Sequence, residues 1–148
     1  LSKSNDKLPN SIVDIKFGRN FDQSINCFPL NLKYFDCGFH YPPNINELQI
    51  FPNTLIDLTL GYYFDGSIDH LFISTPNLTS LTLGDQFDQP INKLPSSIKN
   101  LTFGHNYNQS IDNLQSSAVG LSHLSFGYSY NQISDNLPPN ITKMSYWL

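Results

Sequence analysis

The side chains of this chain that could hold a metal or carry a proton are four histidines, two cysteines and two regularly spaced series of Asp and Asn. Zinc needs several nitrogen or sulfur ligands brought to one centre. His40, His70, His105 and His123 each stand at a different place relative to the apolar residues around them, and Cys27 and Cys37 both fall early in the chain. Those spacings form no repeated ligand set. The oxygen donors are more regular: Asp22, Asp65, Asp88, Asn108 and Asn131 in one series, Asn26, Asn46, Asp69, Asn92 and Asp112 in the other. Calcium needs many oxygens converging on one ion, whereas each series offers a single side chain per interval. The simpler role is to accept backbone N–H bonds in turns. GxSxG, P-loop, HExxH and dinucleotide-binding patterns do not occur. No catalytic residue, cofactor or metal is expected.

The interval itself is a repeat. Six of the eight glycines, Gly18, Gly38, Gly61, Gly84, Gly104 and Gly127, lie 20, 23, 23, 20 and 23 residues apart. Ahead of each the chain reads apolar-x-x-apolar-x-apolar: Ile12/Ile15/Phe17, Leu32/Phe35/Cys37, Leu55/Leu58/Leu60, Leu78/Leu81/Leu83, Ile98/Leu101/Phe103 and Leu121/Leu124/Phe126. A seventh copy, Ile141/Met144/Tyr146, is followed by Trp147 instead of glycine. Three residues after each glycine comes an aromatic (Phe21, Tyr41, Phe64, Phe87, Tyr107, Tyr130), then an Ile column and a Leu or Phe column. Rungs start near Leu8, Phe28, Leu48, Leu71, Leu94, Leu114 and Leu137, and residues 1–148 read as a single solenoid domain. Extra residues in three rungs fall at one place, between Leu48 and Leu55, Leu71 and Leu78, and Leu114 and Leu121, as solenoid loops do.

The apolar-x-apolar step has period 2, which predicts a short strand with alternate side chains buried. Stacked strands from successive rungs make a parallel sheet at about 4.8 Å per rung, roughly 30 Å in all. Pro9, Pro29, Pro52, Pro76, Pro95 and Pro138 precede the strands and no helical periodicity fills the returns, so these should be extended or 3₁₀. Each column glycine is expected to take φ > 0 at a sharp turn, and Gly66 and Gly120, off the column, to tolerate a side chain better. A rung cannot bury its apolar columns alone, so stability comes from neighbours and the ends are weak.

Phe87-Asp88-Gln89-Pro90-Ile91 completes the pattern Leu-Pro-x-x-Ile-x-x-Leu-x-Phe-Gly-x-x-Phe-Asn-x-Pro-Ile, with Phe21-Asp22-Gln23-Ser24-Ile25 and Tyr107-Asn108-Gln109-Ser110-Ile111 as close variants. This resembles the FNIP repeat, a relative of the leucine-rich repeat, from Leu8 to Tyr146. The departures are Pro42 at the Asn/Asp place, Ser for the motif Pro in several rungs, and Trp147. The resemblance implies an all-β, right-handed leucine-rich-repeat-like solenoid with no shared catalytic residues. In social amoebae and giant viruses such repeats often follow an F-box, which implies substrate recognition for ubiquitin ligases. No F-box-sized segment precedes Leu8 here, and the chain starts without Met, as a fragment or a processed product would.

Binding residues are sought among aromatics outside the core columns. Tyr34 points outward on the second strand; Phe39, Tyr62 and Tyr128 directly follow their glycines, and Tyr63 follows Tyr62. Phe39 and Tyr62 share a column on adjacent rungs and should stack near the sheet edge. Tyr34, Phe39, Tyr62 and Tyr63 are therefore the expected partner-binding residues, since exposed aromatics supply interface anchors. Phe51 and Phe72, in the insertions, should cover the convex side. A row of outward residues, Lys16, Asp36, Thr59, Thr82, Thr102, Ser125 and Ser145, gives the alternative: a structural or surface-binding solenoid that recognises carbohydrate or ordered water.

Charged residues are 14% and the net charge is −4, with no Lys/Arg run, which argues against nucleic acid as a partner. No stretch is long enough for a membrane span, and the first ten residues are not a signal peptide. Sequons at Asn77, Asn100, Asn108 and Asn140 occur about as often as composition allows by chance. The columns place Cys27 outside and Cys37 inside, unbonded, which points to a reducing, cytoplasmic setting. The partner expected is a protein, with end-to-end or edge contacts to further repeats.

Overall fold

A computed structural model describes residues 8–23, 25, 27–40, 51–114, 116–132 and 135–147. Seven strands, β1 (Asp14–Lys16), β2 (Tyr34–Asp36), β3 (Asp57–Thr59), β4 (Ser80–Thr82), β5 (Asn100–Thr102), β6 (His123–Phe126) and β7 (Lys143–Tyr146), form one parallel sheet in sequence order. The register follows the repeat without a slip: Ile15, Phe35, Leu58, Leu81, Leu101, Leu124 and Met144 lie side by side. A one-residue slip would turn each buried column to solvent, so burial fixes the pairing. Bonds such as Leu60 N–H to Thr82 O and Leu83 N–H to Thr102 O, both 2.8 Å, extend each ladder past the strand.

Before the strands the chain turns on the proline column. The carbonyls of Pro9, Pro29, Pro52, Pro95 and Pro138 accept the N–H three residues on, and Thr75 and Ala118 take that place in two inserted rungs. Among the described residues the returns hold one 3₁₀ turn, Asp112–Leu114, and one departure from the expected extended path, the helical turn α1 (Leu71–Ser74). Thr75, fully buried, donates its hydroxyl to Leu71 O at 2.9 Å and closes that turn.

Inside, the apolar columns stack: Phe64 on Phe87 on Tyr107 on Tyr130 at about 6 Å, with Phe103 against Phe126 at 5.3 Å. Central residues such as Leu58, Leu78 and Leu81 are wholly buried, whereas Ile15, Phe17, Ile141 and Met144 in the end rungs are only partly covered. Phe51 is a correction: it is buried against Phe28 and Phe35, at 4.9 and 5.7 Å, and belongs to the core rather than to a convex cover. Phe72 packs partly buried against the same core.

The glycine column needs a different reason from the one expected. Among the described glycines only Gly38 has φ > 0, at 68°. Gly84, Gly104 and Gly127 are required by the rung below. A Cβ on Gly84 would lie 1.9 Å from Gly61 O, on Gly104 2.4 Å from Gly84 O, and on Gly127 2.0 Å from Gly104 O. Gly18, with no described rung beneath it, would meet nothing within 4 Å. Gly120 is as crowded as the column, its Cβ falling 2.0 Å from Ser96 O, so the expectation that it tolerates a side chain is wrong.

Candidate interaction surface

After four of the column glycines the chain makes a turn closed by the aromatic column: Phe21, Phe64, Phe87 and Tyr130 donate N–H to Gly18, Gly61, Gly84 and Gly127 O at 3.0 to 3.4 Å. The two residues between glycine and aromatic therefore project from the edge of the solenoid. In the second rung Asp36 Oδ1 accepts Gly38 N–H at 2.9 Å, which helps hold the positive φ that presents Phe39.

The first of these two places builds a ladder. Arg19 sets its guanidinium 4.7 Å from the Phe39 ring centre, and Phe39 stacks on Tyr62 at 4.4 Å and 12°. The second place adds Tyr63, edge-on to Phe39 and Tyr62 at 5.4 and 4.9 Å and stacked on His40 at 5.1 Å. Phe39 and Tyr62 are half-buried by this stacking; Tyr63 is 56% exposed. Three of the four expected residues thus meet in one cluster. Tyr34 does not join it: it opens β2, outward and exposed, between Asp14 and Asp57 in the register. Across the outward face Lys16 Nζ lies 2.7 Å from Asp36, whose hydrogen bond and negative charge hold the lysine pKa above its usual value.

Past the third rung the same edge changes character. The first place becomes Asp85, His105 and Tyr128; Asp85 Oδ2 pairs with His105 Nδ1 at 2.9 Å, and Asp85 Oδ1 accepts the His105 backbone N–H at 3.3 Å. Thr82, Thr102, Asp85, His105 and Trp147 line a cleft of about 300 Å³ at the ends of β4 to β7. Sequence reasoning missed this cleft. The signal for it was the shared place of Asp85 and His105 on adjacent rungs, with Trp147 on the glycine column.

The Asx series after the aromatics are structural. Asp65 Oδ1 accepts Asp88 N–H, Asp88 Oδ1 accepts Asn108 N–H, and Asn108 Oδ1 accepts Asn131 N–H, at 2.8 to 3.0 Å. They bond the turn of the next rung rather than their own, stitching rungs together. Asn26, Asn46, Tyr41 and Pro42 lie outside the described residues. Cys27 is exposed and Cys37 buried, both with free thiols; burial pushes the Cys37 thiol pKa well up. Ser125 and Ser145 bond each other at 2.7 Å within the hydroxyl row. No described helix is long and apolar enough to cross a membrane.

A parallel sheet of short strands, one per 20–23-residue rung over a stacked apolar core, defines a leucine-rich-repeat-like solenoid. Residues 90–115 match the FNIP repeat family model, and the same columns recur along the rest of the chain. The fold is similar to the crystal structure of CroV588, a circular leucine-rich-repeat protein from a giant virus, with a TM-score of 0.79 and 33% identity. The likeness covers 94% of this chain and 21% of that one, so the chain spans about a fifth of that protein's length. No curated protein matches by sequence.

Proposed function

We propose that this chain is a non-catalytic protein-interaction solenoid, the recognition part of a larger assembly, and that it binds through the edge cluster of Phe39, Tyr62 and Tyr63 with Tyr34 on the adjoining face. The observation that carries this reading is the Arg19–Phe39–Tyr62 ladder: aromatic rings kept at the rim, outside every buried column. Stacking holds those rings in place, so less side-chain entropy is lost when a partner covers them. The outward strand positions nearby, including Lys16, Lys33, Asp36 and Asp57, supply a rim of both charges around the aromatic centre. Repeat solenoids of this kind are generally non-catalytic. The outer edges of β1 and β7, which have no partner strand among the described residues, are suited to contacts with further repeats.

Partner capture by Phe39→Ala and Tyr62→Ala tests the reading against Thr82→Ala and Ser125→Ala. The aromatic changes should cost about 1–3 kcal/mol of binding and leave the fold intact. Normal capture by folded aromatic variants, with loss in the hydroxyl variants, would move the site to the other half.

A further inference from the structure

The cleft at the ends of β4 to β7 carries a second, separate recognition chemistry. Its position follows from a single departure in the repeat. Every complete rung has glycine after its strand, and stacked glycines leave a low shelf; the seventh rung puts Trp147 there, 64% exposed, above Gly127 and Gly104. The indole becomes one wall. Leu83 and Phe103, nearly all their surface already buried, supply an apolar floor. Thr82 and Thr102 lie in register on β4 and β5 and are half-buried, and Asp85 and His105 follow them on the two turns.

These groups select by charge and by hydrogen-bond sense. Among the described residues Asp85 is the one carboxylate lining the cleft, and each of its oxygens already accepts a bond from His105, through the ring and through the backbone. His105 thus occupies the fork that a guanidinium would grip, while one lone pair on each oxygen remains for a single hydroxyl donor. An anion would meet the same carboxylate. The two threonine hydroxyls both donate and accept. A neutral ligand with hydroxyls along its edge and an apolar face for the indole matches every wall. The volume, about 300 Å³, is at the small end for ligand sites, room for a single ring. We infer that this cleft binds one neutral pyranose unit of a carbohydrate, its C–H face on Trp147 and its hydroxyls on Thr82, Thr102 and the Asp85–His105 pair. The site is distinct from the aromatic edge of the first three rungs and does not rest on the protein-binding reading.

Trp147 is the only tryptophan in the chain, so its emission reports directly on the cleft. The folded chain is titrated with methyl α-glucoside, methyl α-mannoside, methyl β-galactoside and N-acetylglucosamine, and with L-arginine amide as the cation. At least one sugar should give a saturable change with Kd of about 1–10 mM, as a one-ring site of few contacts allows. Thr82→Val and Thr102→Val keep the strand-favouring branch and remove the hydroxyl; each should weaken that sugar tenfold or more, while Thr59→Val, one rung outside, leaves it unchanged. Linear or absent responses to every sugar overturn the proposal. So does a stronger saturable response to arginine amide, or equal weakening in Thr59→Val.

Discussion

The turn edge of the first three rungs and that of the next three occupy the same place in the repeat and hold opposite contents. Arg19, Phe39 and Tyr62 form a stacked rim ladder, whereas Asp85, His105 and Tyr128 give a paired carboxylate and imidazole and an isolated ring that is 75% exposed. Beneath them, from the second rung on, the core is constant: Cys37, Leu60, Leu83, Phe103 and Phe126 are all nearly inaccessible, and the aromatics Phe64, Phe87 and Tyr107 stack in one column. Inward places answer to the rungs above and below, so they admit few residue types. The places just past the glycine answer to solvent and are free to carry recognition. The constant columns therefore locate the variable ones, and the variable ones separate two surfaces on one scaffold.

The largest expected effect separates scaffold from surface. Gly84→Val drives a side chain into Gly61 O and should force the rungs apart, at a cost of about 3 kcal/mol or more. Gly18→Val, with open space before it, should stay within about 0.5 kcal/mol. Denaturant midpoints of the two variants decide. Equal losses would show that the column serves turn conformation rather than the approach of neighbouring backbones, and the distinction between constant and free places would need a new basis.

That reason for the glycines was not legible in the sequence, although the column was. Periodicity shows that a side chain is excluded at Gly84 and Gly104, but the cause is the distance to a carbonyl twenty or more residues back, which only stacking sets. Gly120 fails the periodic test and is still crowded, by Ser96 O, for the same cause. Strand positions and register were fully readable, because seven copies of one apolar spacing leave a single burial pattern. The Phe39–Tyr62 stack was readable too, as two aromatics in one column must meet across a rung. The cleft was not, since it depends on one irregular residue, Trp147, closing over side chains from rungs far back in the chain. Phe51 misled for a related reason: an inserted residue has no column, and its burial against Phe28 depends on the path of the insertion.

A middle-sized effect distinguishes the second rung from the later ones. Its strand is followed by Cys37, where the other early rungs have Phe17, Leu60 and Leu83, and burial raises that thiol's pKa well above its usual value, with Asp36 adding to the shift. A raised folded pKa gives stability that is complete below the unfolded thiol pKa, about 8.5, and is lost as pH rises from there toward the folded value. Between pH 8 and 9.5 the chain should lose about 1 kcal/mol that Cys37→Val retains. Unfolding midpoints of both proteins across that range provide the measurement. Parallel decline would mean that the alkaline weakness lies elsewhere, and that this thiol ionises no less readily in the core than outside it.

The smallest effect tests the inner aromatic column, which is Phe at positions 21, 64 and 87 and Tyr at 41, 107 and 130. Tyr107 is wholly buried and its hydroxyl has no hydrogen-bond partner among the described residues. Burial also raises its pKa, foremost by desolvating the phenolate, so the group stays neutral in the folded chain well above the usual tyrosine range. A buried donor without a partner costs about 1–3 kcal/mol of desolvation, while the extra oxygen returns only part of that through contacts. Tyr107→Phe keeps the ring that stacks on Phe87, Phe103 and Tyr130 and removes only the stranded oxygen. The variant should be as stable as the parent or more so, by up to about 1 kcal/mol at neutral pH. Above pH 10 its advantage should grow, because the unfolded parent ionises there and the folded parent does not. Denaturant titrations at pH 7 and pH 10.5 read both parts. A Tyr107→Phe variant less stable than the parent at pH 7 would mean that the hydroxyl has a partner, and Tyr107 would then differ from Phe87 beside it by a bond rather than by an unneeded atom.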